Sequence, residues 1–84
     1  DDDPFLVSEA VKATGKIGGS KAVERLFMMI HHPSFMVRGE VALALGRMEH
    51  PNRDELLIQL LKDISPYVAD CANIALNRKE LKER

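Results

Sequence analysis

Shifted against itself by 31 residues, the distance from Gly15 to Gly46, the sequence matches along most of its length. Glu9-Ala10-Val11-Lys12-Ala13-Thr14-Gly15-Lys16-Ile17 falls on Glu40-Val41-Ala42-Leu43-Ala44-Leu45-Gly46-Arg47-Met48, and a second step reaches Cys71-Ala72-Asn73-Ile74-Ala75-Leu76-Asn77-Arg78. Leu26 matches Leu57, Ile30 matches Leu61, and Asp3, Ser34 and Ser65 form a set of N-cap residue types. A period of this length with helical apolar spacing inside it marks a stacked α-repeat. Each unit buries its apolar face only by packing on its neighbours.

The register predicts an all-α fold of five helices, near residues 4–16, 21–31, 35–48, 53–63 and 66–80, with two full repeats and a half in a short right-handed solenoid. Pro4 and Pro66 follow Asp3 and Ser65 at the first helical position, where a missing N–H costs nothing. Gly15, Gly18, Gly19 and Gly46 are candidate helix terminators. His32-Pro33 and His50-Pro51 block continuation, and Asn52 with Glu55 reads as a capping box. The spacing points Leu6, Ala10, Ala13 and Ile17 of the first helix to the core. With them go Val37, Val41, Ala44, Leu45 and Met48 of the third and Val68, Ala72, Ala75 and Leu76 of the fifth. The second and fourth add Leu26, Met29, Ile30, Leu57, Leu60, Leu61 and Ile64.

Composition narrows the function. At 84 residues the chain is expected to be one domain spanning 1–84, and its start at Asp1 reads as a piece cut from a longer protein or a processed one. A net charge of -1 supplies no global field toward nucleic acid or anionic lipid. No apolar run approaches the roughly 18 residues that cross a bilayer. The lone Cys71 cannot form an internal disulfide, which fits a reducing, cytoplasmic setting.

Met36-Val37-Arg38-Gly39-Glu40-Val41-Ala42-Leu43-Ala44-Leu45-Gly46-Arg47-Met48 resembles the "VR..A..ALG" helix of HEAT-like repeats. The short form found in phycobilisome lyase-type proteins and in deoxyhypusine hydroxylase is most similar. The likeness runs from Asp3 to Arg78, with Val7 and Ala69 standing where the motif has arginine. It implies a surface-presenting module, with a fragment of a bilin lyase or other tetrapyrrole-handling protein as the alternative. In such repeats the arginine bonds an aspartate of the inter-helix turn, so Arg38 is expected to pair with Asp63 or Asp1 as a structural brace.

Catalytic readings find little support in the residues. Hydroxylases of the resembling group carry His-Glu dipeptides as iron ligands, and the matched positions here are Ser8-Glu9, Gly39-Glu40 and Asp70-Cys71. Glutamates without imidazole make a poor iron site. His31, His32 and His50 sit at turns, and the adjacent pair points in different directions. Cys71 has no histidine within a helical turn in sequence, so an unreactive thiol is the simpler reading. The chain is therefore expected to be no enzyme and to need neither metal nor cofactor.

The functional candidate is a row. Lys16, Arg47 and Arg78 share one repeat position at the C-terminal ends of the first, third and fifth helices, with Leu43 and Ile74 one turn earlier. The resemblance places this helix set on a concave surface. Cations beside aliphatics suit an acidic, partly apolar protein or peptide; cations at helix C-termini also simply offset the macrodipole. Phe5, Phe27, Phe35 and Tyr67 lie outside the row, which argues against base stacking and nucleic acid.

Overall fold

The computed structural model describes residues 3–83, and side chains as far as Asn77. Five helices follow in order: α1 Pro4–Ile17, α2 Ser20–Met29, α3 Phe35–Gly46, α4 Arg53–Leu61 and α5 Pro66–Glu83. No strand occurs among the described residues. In the first layer α3 packs between α1 and α5. Across it, α2 lies against α1 and α3, and α4 against α3 and α5.

Local chemistry sets the helix ends. Asp3 Oδ1 accepts the Phe5 N–H at 2.9 Å, and Pro4 begins α1. Ser65 Oγ accepts the Val68 N–H at 3.5 Å. Ser34 has extended N-cap backbone but makes no side-chain capping bond. The capping box expected at Asn52 does not form: its backbone sits at φ −92°, ψ 1°, outside the extended geometry that aims a cap side chain. Its N–H donates instead to His50 Nδ1 at 3.1 Å. Ser34 N–H donates in the same way to His32 Nδ1 at 3.0 Å, so two of the histidines brace their own His-Pro turns.

Among the described residues only Gly18 and Gly19 use the left-handed region, at φ 75° and 90°, and they separate α1 from α2. Gly15 is a packing residue inside α1, contrary to the terminator reading, and Gly46, the last residue of α3, is a packing residue as well. A Cβ at Gly15 would lie 2.7 Å from Ala44 Cβ, and one at Gly46 would lie 2.7 Å from Ala75 Cβ. These bare patches set how closely α1, α3 and α5 approach.

Leu26, Val37, Val41, Leu45, Leu57 and Val68 are the largest fully buried side chains. The face expected for α1 is wrong: Leu6 is 64% and Ile17 84% exposed, Ala10 and Ala13 are exposed too, and Ser8, Val11 and Gly15 are buried. The reason is positional. One repeat on, the equivalents of Leu6, Ala10, Ala13 and Ile17 are buried, but no described helix lies on that side of α1. Leu61 and Ile64 are also exposed, because α4 ends at Leu61 and Ile64 lies in the turn beyond it.

Candidate functional surface

Two charged groups near the turns are fully committed to structure. Arg38 donates from Nε to Asp63 Oδ2 at 2.8 Å and from Nη2 to Oδ1 at 3.1 Å. Its Nη1 donates to the carbonyls of His32 at 2.7 Å and Pro33 at 3.0 Å. One guanidinium thus ties the α2–α3 turn to the α4–α5 turn with a bidentate, charge-assisted contact. Asp63 Oδ1 also accepts the Ser65 N–H at 2.9 Å, the same i+2 bond that His32 makes one repeat earlier. Asp1, the other carboxylate considered for Arg38, lies outside the described residues.

Hydrogen bonding from Arg38, aided by its charge and the Ser65 N–H, holds the Asp63 carboxyl below its ordinary value of 3.8 against the opposing effect of burial. Folded Asp63 is therefore the stronger acid. Its stabilisation is present above the ordinary value and is lost as pH falls through the lowered one. Asp63→Asn should cost about 1 kcal/mol at neutral pH, with the gap to wild type closing below about pH 4 in urea titrations. A gap that stayed constant down to strong acid would mean the carboxylate charge is not what matters.

Arg53 does not stand out in the sequence, yet it is buried. It donates from Nη1 to the Met48 carbonyl and from Nε to Asp54 Oδ1 at 3.4 Å, closing the α3–α4 turn. The repeat register cannot flag it, since the matching residue is Ala22.

Cys71 is buried, and burial pushes its thiol up while a hydrogen bond with Tyr67 works the other way. A thiol held in its neutral form is a poor nucleophile at neutral pH. The Tyr67 ring lies over Gly39, in the space a Cβ would need, and meets Phe35 edge-on at 5.8 Å.

The candidate row lies at the other end of the layer. Arg47, the C-cap of α3, follows Arg38 by nine residues, or roughly 13 Å along the helix axis. Lys16 and Arg47 are both exposed, and among the described residues neither carries an ion pair. Ile74 is 52% exposed, whereas Leu43 is half-buried and packs against the core, offering only its edge. The Arg78 side chain lies outside the described residues. Two turns before the row, Glu9 is exposed and holds Lys12 at 3.4 Å, Glu40 is half-buried, and Cys71 is covered. A cavity of about 380 Å³ lies away from the row, beside Arg38 and Asp63, where the charges already satisfy each other.

The register, the paired layers and the bracing arginine describe a repeat, and the family model for HEAT repeats matches residues 1–77. The chain belongs to the HEAT-repeat family. Repeats of this family are generally protein-interaction scaffolds and typically non-catalytic. No curated relative matches the chain. Among the described residues, no helix is long and apolar enough to cross a membrane.

Proposed function

We propose that this HEAT-repeat chain is a non-catalytic protein-interaction module whose α1–α3–α5 layer receives an acidic, partly apolar peptide or helix. The observation that carries this reading is the pair of exposed cations at equivalent positions of stacked helices, Lys16 and Arg47, with no ion pair among the described residues, beside the exposed Ile74. Equivalent atoms on neighbouring helices stand about 8–10 Å apart, comparable to the Debye length at physiological salt. Their charges therefore partly sum toward a partner, and Arg78 extends the same register position. Arg38 and Asp63 serve as the brace that fixes the layer.

The tetrapyrrole alternative gains no support from Cys71, whose thiol is buried and kept neutral.

The test is selection of binders from a displayed library of helical peptides, followed by titration of Arg47→Glu and Lys21→Glu at low and high salt. Both variants make the same charge change, but Lys21 is exposed on α2 in the other layer. Selected peptides should be acidic. Arg47→Glu should weaken them roughly 5- to 10-fold more than Lys21→Glu at low salt, with the difference shrinking as salt rises. Neither change should move stability by more than about 0.5 kcal/mol. Equal affinities would reduce the row to helix-end charges.

A further inference from the structure

The two ends of the stack are built differently. The α1–α3 contact seats Ala44 on Gly15, and the α3–α5 contact seats Ala75 on Gly46, one period later. In each pair the following helix presents a front face and the preceding helix a rear face. The front face of α3, Val37, Val41 and Ala44, is buried together with Met48 just past its end, and so is that of α5 at Val68, Ala72 and Ala75. The same positions on α1 are Leu6, Ala10, Ala13 and Ile17, apolar and open to solvent.

Beside them runs a groove of about 260 Å³ lined by Ala10, Thr14, Arg25, Leu26, Met28 and Met29. One repeat on, Val41, Leu45, Leu56 and Leu60, the equivalents of Ala10, Thr14, Arg25 and Met29, are buried. Met28, at 82% exposure, stands at the rim of the groove. The rear face of α5 carries Asp70, Asn73 and Asn77 where α3 has Gly39, Ala42 and Gly46, and all three are exposed. An asparagine at the glycine position leaves no room for an alanine at 2.7 Å, so a second copy cannot stack head to tail through this contact.

We infer that the Leu6–Ala10–Ala13–Ile17 face and its groove are a docking surface for one further HEAT-type helical hairpin, joined ahead of α1, whose first-layer helix offers a glycine to Ala13. Continuity with the two existing interfaces selects this occupant: the same 31-residue step that maps Ala75 onto Ala44 maps Ala44 onto Ala13. Large exposed aliphatics on one end face, opposite a polar one, are what a repeat stack shows where a further unit belongs.

The chain contains the probe. A duplicate of residues 34–64 fused directly to Asp3 places Asp3-Pro4 after Ile64, as Ser65-Pro66 stands in the native chain, and brings a second Gly46 opposite Ala13. The fusion should unfold in one transition at a higher urea midpoint, its m-value larger by about a third in proportion to chain length. Ala13→Glu should leave the midpoint of the original chain nearly unchanged and lower that of the fusion. The thiol introduced by Ala13→Cys should label freely in the original chain and be protected in the fusion. An unchanged midpoint, a separate transition for the added segment, an equal cost of Ala13→Glu in both, or an introduced thiol equally reactive in both would overturn the inference.

Discussion

Truncating Leu57 to alanine is expected to lower the unfolding free energy by about 2–5 kcal/mol. Leu57 is fully enclosed on α4, whose face closes on α3 and α5, so the cavity left by three carbons is walled by helices already in contact. Small domains have little margin. With total stabilities of about 5–15 kcal/mol for typical domains, and less for one of this size, the variant approaches global unfolding near body temperature. Leu45→Ala, on the facing helix and equally buried, should behave alike. Chemical denaturation checks both. A midpoint unchanged in either variant would place the core on the wrong helix face.

The second large effect concerns a residue with no side chain. Gly46→Val should cost about 3 kcal/mol, the upper part of the range for overpacked cores. A Cβ there meets Ala75 Cβ at 2.7 Å and Ala75 Cα at 3.0 Å, so the obstacle is backbone and a methyl group, neither of which can swing away. The helix-propensity gain of replacing a glycine is under about 1 kcal/mol, smaller still at the last residue of a helix, and does not offset the clash. The smaller Gly46→Ala variant offers a sharper check, because Ala75→Gly hands the methyl from one helix to the other and should restore most of the loss. Additive rather than compensating double-mutant energies would show that α3 and α5 do not meet through this contact.

Why is the architecture readable in the sequence while parts of the packing are not? The prolines after Asp3 and Ser65 and the His-Pro breaks act within a few residues, and the 31-residue register repeats them, so helices are marked without knowledge of the packing. Packing faces depend on neighbours. The α1 face expected from the register follows α3, which has a helix on both sides, whereas α1 has a described neighbour on one side only. A glycine in sequence looks the same whether it turns a chain left-handed, as Gly18 does, or lets two helices touch, as Gly46 does.

The surface is legible to a similar depth. Lys16 and Arg47 at helix C-termini are exposed on almost any packing, and the Arg38–Asp63 contact follows from the family arginine. The half-burial of Leu43 depends on contacts with the core that spacing along one helix does not encode. Arg53, whose guanidinium closes a turn, has no counterpart in the repeat to announce it.

The proposed function stands most directly on where a partner sits. Backbone amide chemical-shift mapping of the isotopically labelled chain, titrated with an acidic helical peptide obtained by selection, locates it residue by residue. The largest shifts are expected at Lys16, Leu43, Arg47 and Ile74, in the α1–α3–α5 layer, and they should fade when salt is raised. Shifts confined to α2 and α4, or to the groove between α1 and α2, with the row unperturbed, would contradict it.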